Sequence, residues 1–313
     1  MRVNLRVAVV GVGHLGQHHA RILAAMDDVD LVGVVDARPE RAQEIAARYG
    51  AAPFTDAREL RDRVDAVSVA VPTEMHAEVV LPFLERRVAV LIEKPLAASL
   101  DQADRMIAAA ERHGAVLATG HTERFNPAVE AARPLIVDPR FIEVHRLGTF
   151  PERSLDIDVI FDLMIHDLDV LLSIVRSEVA SVEAVGVNVL TPRTDIANVR
   201  IRFASGCIAN LTASRISRDR VRKIRFFQHD AYVSIDYAAR EVEVYRLVRQ
   251  NGRPAIEGGR LPVVDDEPLR RELADFVEAA RGHREPGVTG RQGRDAHALA
   301  TLVAERMQEA YRT

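Results

Sequence analysis

A chain of 313 residues is long enough for two domains, each with its own core. Its 42 Lys and Arg against 46 Asp and Glu leave a net charge of -4, which gives no global attraction to nucleic acid or to an anionic membrane. The single cysteine, Cys207, excludes an internal disulfide and a Cys-cluster metal site, and no metal is expected. A β-rich run starts within ten residues of Met1, so no signal peptide is expected ahead of it and the expected compartment is the cytoplasm.

That run, Arg6–Val10, leads into Gly11-Val12-Gly13-His14-Leu15-Gly16 and then a helical pattern over Gln17–Met26. Strand, glycine turn and helix in this order suit a dinucleotide. Gly11 supplies an unusual backbone angle, Gly13 lets the main chain approach a pyrophosphate, and Gly16 allows close packing of helix on strand. The N–H groups at the helix start are then available to phosphates. His14 and Leu15 lie in the turn itself and join the cofactor-side candidates. His14, His18 and His19 have no acid cluster beside them and read as first-turn helix residues rather than metal ligands. The next run, Leu31–Val35, ends at Asp36, where a carboxylate accepts hydrogen bonds from the adenosine ribose. Asp36 favours NAD over NADP, because a 2′-phosphate would meet a negative charge. Arg38, two residues on, can receive that phosphate and leaves NADP open.

Ala66–Val71, Val88–Ile92 and Val116–Thr119 continue the series of short apolar runs that parallel sheets bury on both faces. Helical patterns lie between them at Pro39–Tyr49, Glu74–Arg86 and Leu100–Arg112, with Pro39 at a helix start and Ser99 as an N-cap. A doubly wound parallel α/β sheet follows. Lys94, in Glu93-Lys94-Pro95, stands at the carboxyl end of one of these strands, the side on which open α/β sheets bind ligands. Its ammonium can hold an alcohol oxygen and stabilise a developing alkoxide. Pro95 constrains the turn, with a cis bond as one option. An ordinary surface lysine is the bland alternative.

Past His121 the pattern changes. One long apolar helix, Asp158–Ile174, precedes β-rich or alternating runs at Val182–Val189, Ala197–Phe203, Cys207–Ser214, Lys223–Phe227, Tyr232–Asp236 and Val242–Leu247. Turn signals at Ala204-Ser205-Gly206 and Asn251-Gly252 predict hairpins and a mostly antiparallel open sheet. Helices near Pro268–Arg281 and Arg294–Tyr311 close an α+β domain. The expected division is 1–121 and 122–313. The apolar stretch Val159–Val175 is interrupted by Asp162, His166, Asp167 and Asp169 and does not read as a membrane span. Histidine is the side chain whose ordinary range suits a general base for alcohol oxidation, which makes His166 the candidate. Asp162 lies one turn before it and Asp169 three residues after, so the three share a face. A purely structural Asp–His pair is the competing reading. The basic run Arg215, Arg218, Arg220, Arg222, Lys223 and Arg225 is either a solvated sheet face or, at Arg215 and Arg218, a receiver of substrate phosphate.

The glycine turn, Val71-Pro72-Thr73 with His76, Glu93-Lys94-Pro95 and Asp162…His166 together resemble the Gfo/Idh/MocA oxidoreductases over essentially the whole chain. The resemblance implies a Rossmann domain, then an α/β domain whose open sheet often makes a homodimer or homotetramer. It implies Lys94 and His166 as the catalytic pair, with Asp162 touching substrate or cofactor. Pro72, Thr73 and His76 fall where the family contacts the nicotinamide-side ribose largely through main chain, although the Thr73 side chain equally suits a helix cap. Glu93 contacts ribose or orders Lys94. Arg124-Phe125-Asn126-Pro127 is similar to the segment entering the second domain, placing Arg124 or Asn126 near substrate unless it is a plain linking turn. One departure stands out: Leu155-Asp156-Ile157-Asp158-Val159 replaces glycines that many members carry before this helix.

Segments 140–148, 156–167 and 212–215 also resemble a subgroup associated with lipid A biosynthesis, which oxidises UDP-N-acetylglucosamine at C3 for a partner aminotransferase. A dehydrogenase of a free cyclitol or sugar is the alternative. A non-catalytic nucleotide-sensing protein is a third reading, against which the presence of both Lys94 and His166 argues.

Overall fold

The computed structural model describes residues 3–150, 157–250 and 253–310. The expected turn at Asn251-Gly252, the first part of the segment beginning at Leu155-Asp156, and the helix end at Tyr311 lie outside these described residues.

The first elements are β1 (Leu5–Val10), α1 (Gly16–Ala24), β2 (Val29–Val35), α2 (Pro39–Tyr49), β3 (Ala52–Phe54), β4 (Ala66–Val69), α3 (His76–Leu84), β5 (Ala89–Glu93), α4 (Leu100–His113) and β6 (Leu117–Gly120). The six strands form one sheet in the order β3-β2-β1-β4-β5-β6, and every pair is parallel. This is the doubly wound order in which the chain changes direction across the sheet beside β1, opening a ligand crevice at the carboxyl ends of the strands. β4 and β5 are buried along their whole length, because helices cover both faces and neither face can be polar. Helix boundaries follow local chemistry. α2 opens on Pro39 and stops at Gly50, whose φ is +71°; α4 is capped by the Ser99 hydroxyl, which accepts from the Gln102 amide at 3.3 Å, and stops at Gly114. β3 was not expected from the sequence. Three residues containing Pro53 at a sheet edge carry too little periodicity to register.

The second group comprises α5 (Pro127–Ala132), β7 (Phe141–Leu147), α6 (Ile165–Ile174), β8 (Val179–Val187), β9 (Ile196–Phe203), β10 (Ile208–Ser214), β11 (Val221–Phe227), β12 (Ala231–Asp236), β13 (Glu241–Gln250) and β14 (Arg253–Leu261). Its eight strands run β14-β13-β12-β11-β7-β10-β9-β8, all antiparallel except for the β7–β10 pair. Phe141–Leu147 was not expected as a strand, yet it sits in the middle of this sheet. β14 was likewise unexpected. Ile142, Val144, Val199, Ile201, Leu211, Ile224 and Phe226 point to one face and are buried with Ile165, Leu168 and Leu171 of α6. Each such side chain contributes about 1.5–3 kcal/mol of hydrophobic stabilisation.

α7 (Pro268–Ala280) and α8 (Gly290–Ala310) end the chain. The chain up to Thr122, with Leu269–Asp295, makes one compact unit; Glu123–Pro268 and the chain from Ala296 make another. Assigning all of 122–313 to the second domain is therefore corrected. Leu273, Phe276 and Val277 of α7 bury their apolar face with Val7, Leu23 and Ala118 in a core of the first unit. Among the described residues no helix is long and apolar enough to cross a membrane.

Candidate active site

In the first unit the three glycines meet three different demands. Gly11 has φ +86°, and a Cβ there would lie 2.7 Å from the Ala70 carbonyl oxygen. A Cβ on Gly16 would lie 1.8 Å from the Gly11 oxygen, so only glycine lets α1 start this close to the turn. Gly13 has nothing within 4 Å of such a Cβ, leaving the main chain open to a ligand. α1 has Leu15 at its N-cap, with no side-chain cap, so no capping side chain competes with an anion at the helix start. These features fit a dinucleotide pyrophosphate. Arg41 of α2 braces the turn: its Nε donates to the Val12 carbonyl at 2.8 Å and its Nη2 to Gln17 Oε1 at 3.0 Å. Asp36 follows β2, and its Oδ1 accepts from both the Arg38 amide (3.1 Å) and Arg38 Nε (3.2 Å). The two residues that suggested opposite cofactor preferences are thus one ion pair.

β5 ends at Glu93, and the Lys94–Pro95 bond is cis. Glu93 is buried, with Oε1 3.0 Å from His19 Nε2, while His19 Nδ1 is 2.7 Å from Ser68 Oγ. Burial pushes the Glu93 carboxyl up, but the bond to His19 and the Lys94 charge more than offset this and hold it below the usual carboxylate range. The Glu93 carboxylate thus links the end of β5 to α1, directly before Lys94. The His76 side chain faces inward, which leaves the expected main-chain contact of Pro72, Thr73 and His76 untouched. It is buried, with Nε2 3.0 Å from the Val71 oxygen and Nδ1 3.1 and 3.3 Å from the Pro95 and Leu96 oxygens, and burial lowers its pKa. Pro72 is exposed and Thr73 half-buried. Thr73 opens a short 3-10 turn, Thr73–Met75, and caps nothing; Pro72 and Met75 occupy the cap positions of this turn and of α3. His14 and Leu15 are exposed on the glycine turn.

No motif in the sequence marks His19 as a site residue. The available signal was its place on the apolar face of α1 beside Ala20 and Leu23, where a histidine must find polar partners.

In the second unit Asp162 lies in a π-helical turn, Ile160–Met164, that runs into α6, not in a regular α-helix as expected. Such bulges recur at functional sites. Asp158 fixes the start of this turn: its carboxylate accepts from the Thr194 amide at 2.7 Å, and its carbonyl accepts from the Phe161 and Asp162 amides at 3.1 Å. Asp162 and His166 are half-buried, leaving part of each side chain accessible, whereas Asp167 and Asp169 are buried. Asp169 does not join His166 in an open polar face; its Oδ2 lies 3.5 Å from Arg124 Nε. Asp167 takes Arg146 in a two-bond pair, at 2.6 and 2.9 Å, and Arg146 also donates to Glu123 at 3.0 Å. Burial disfavours the Arg146 charge, yet Asp167 and Glu123 raise its pKa well above the ordinary value.

Three candidate substrate residues are buried with intramolecular partners. Arg124 is buried against Asp169. Asn126 is buried at the N-cap of α5, where Oδ1 accepts from the Ala128 amide at 3.1 Å and Nδ2 donates to Glu123 and to the Tyr237 carbonyl. Arg215 is buried, with Nε 3.3 Å from Asp195 and Nη2 donating to the Ile157 and Thr194 carbonyls. Arg218 is exposed in the loop after β10.

Comparison with known proteins agrees with both units. Residues 5–121 match the oxidoreductase family with the NAD-binding Rossmann fold, and 138–232 match the GFO/IDH/MocA C-terminal domain. The chain is 40% identical to UDP-N-acetylglucosamine 3-dehydrogenase of Acidithiobacillus ferrooxidans over 96% of each chain. A solved structure of that enzyme superimposes with a TM-score of 0.92 at 37% identity, covering 98% of this chain and 99% of the other. Myo-inositol 2-dehydrogenase of Thermotoga maritima is 28% identical over 97% of each.

Proposed function

The chain belongs to the GFO/IDH/MocA oxidoreductase family, and from that premise we infer that it oxidises C3 of UDP-N-acetylglucosamine to the 3-keto sugar nucleotide, with NAD as cofactor. The observation that carries the substrate is the end-to-end likeness to UDP-N-acetylglucosamine 3-dehydrogenase, in sequence and in backbone. When bound, NAD supplies the acceptor for the hydride. Gly11, Gly13 and Gly16 with the start of α1 hold its pyrophosphate, and Asp36 holds the adenosine ribose. Lys94 binds the 3-hydroxyl oxygen and stabilises the negative charge that grows there. His166 takes the hydroxyl proton as the C3 hydride departs, so that no free alkoxide has to form in water. Asp162, one turn from His166, orients substrate. Of Arg215 and Arg218, the two arginines of the basic run suited to a substrate phosphate, Arg218 is the exposed one.

The same reading places the protein in the cytoplasm as a homodimer or homotetramer assembled through the eight-stranded sheet. An aminotransferase of lipid A biosynthesis consumes its product. Oxidising an alcohol with NAD near neutral pH runs uphill, so product accumulates only if it is trapped or NADH is recycled. The test is a coupled assay with UDP-N-acetylglucosamine in which mass spectrometry looks for a product lighter by two hydrogens. If UDP-sugars give none while myo-inositol or glucose is oxidised, the sugar-nucleotide assignment fails and a free-polyol dehydrogenase replaces it.

A further inference from the structure

His76 has no part in the chemistry above, yet it is buried where two functional segments approach each other. On one side, Nε2 faces the carbonyl of Val71 at 3.0 Å; on the other, Nδ1 faces the carbonyls of Pro95 at 3.1 Å and Leu96 at 3.3 Å. Val71 leads into the turn before α3 and also abuts the glycine turn, since a Cβ on Gly11 would lie 2.9 Å from Val71 Cγ1. Pro95 and Leu96 directly follow Lys94, and Pro95 has no N–H with which to anchor the turn. One imidazole therefore spans from the glycine turn's neighbour to the turn that carries the lysine. The Leu96 contact is buried and the Val71 and Pro95 contacts are part-buried; a fully buried carbonyl without a donor costs about 1–3 kcal/mol, so these oxygens favour keeping the ring in place. A neutral ring can donate to one side only, whereas a protonated ring serves both. Burial is the largest effect and lowers its pKa, favouring the neutral ring, while the three carbonyls and then the Glu93 charge act the other way.

We propose that His76 is a positioning residue that sets the place of Lys94 by tying the Lys94-Pro95-Leu96 turn to Val71. This rests on the reading of Lys94 as the group that holds the substrate oxygen.

The test is a double-mutant cycle with UDP-N-acetylglucosamine as substrate. His76→Leu and His76→Asn are each made in the unaltered protein and in Lys94→Ala, with kcat, KM, NADH affinity and Tm measured for all. If His76 acts through Lys94, His76→Leu lowers kcat by roughly tenfold to a hundredfold, as expected for a misplaced group. KM and NADH affinity hold within about threefold, and the same substitution costs nothing further once Lys94 is alanine. His76→Asn keeps one donor, so it folds and loses less. Equal losses in both backgrounds would mean a merely structural role and overturn the proposal, as would an unchanged kcat in the leucine variant. Amide hydrogen exchange over residues 94–97 separates this from the lysine reading. If Lys94→Ala retains turnover, the lysine reading is what fails; unchanged exchange in His76→Leu overturns the tie itself.

Discussion

Asp167, the residue directly after His166, holds Arg146 of β7 through paired bonds of 2.6 and 2.9 Å, both side chains being buried. α6 is thereby fixed to the central strand of its sheet at the point where the candidate base projects. The Tyr237 ring lies 5.1 Å from the guanidinium carbon and covers it. Replacing one member of a buried pair leaves the other charge without compensation. Arg146→Met is expected to cost about 3–5 kcal/mol of unfolding free energy. A lower urea midpoint at unchanged slope is the expected readout. A midpoint within error of the unaltered protein would show that Glu123 and Asp167 tolerate losing their cation.

The proposed preference for NAD rests on Asp36. Its carboxylate repels a 2′-phosphate, and its bond to Arg38 keeps that guanidinium engaged. Calorimetric titration should therefore find NAD bound at least roughly tenfold more tightly than NADP, a modest gap for opposing charges near a surface. Asp36→Ala should narrow it by removing the repulsion and releasing Arg38. Preference for NADP in the unaltered protein would instead make Arg38 the specificity residue.

His166→Asn should retain NADH affinity and lose turnover by roughly a hundredfold or more, the usual loss on removing a general base. Lys94→Ala should lose a comparable factor, because stabilisation of the alkoxide goes with the ammonium. Near-normal kcat in either variant removes that residue from the mechanism.

Glu93 gives a pH signature. Its native pKa lies below the ordinary glutamate value, so the carboxylate is favoured in the folded state. Its contribution to stability is complete above the unfolded pKa and is lost as the pH falls through the folded one, because the unfolded chain takes up the proton first. In urea titrations across the acid range, the unaltered protein should lose stability more steeply with falling pH than Glu93→Gln, which has nothing there to titrate. Parallel curves would show that the His19–Glu93 bond does not favour the charged form.

Much of the first unit was legible in the chain because its determinants are local. Gly11, Gly13 and Gly16 sit within six residues of one another, and Asp36 and Lys94 are marked by the strand ends they follow. Pro39 and Ser99 announce their helices by the same short-range rules. In the second unit, alternation along β9 to β13 predicted a sheet but not its centre. β7 has the same alternation over Phe141–Leu147, with nothing local to say that it runs parallel to β10.

The sequence by itself determined the two architectures, the dinucleotide turn and the candidate pair Lys94 and His166, since periodicity, turn chemistry and motif spacing are written in neighbouring residues. Only the tertiary structure decided which polar side chains face inward. Arg124, Asn126, Arg215, Glu93 and His76 are candidate ligand contacts in one dimension, each with a structural alternative; in three dimensions their side chains have partners within their own unit: Asp169, Tyr237, Asp195, His19 and the carbonyls of Val71 and Pro95. The physical reason is that a buried charge or amide must be paired, and its partner is set by how strands and helices pack, often across tens of residues, which no local pattern encodes.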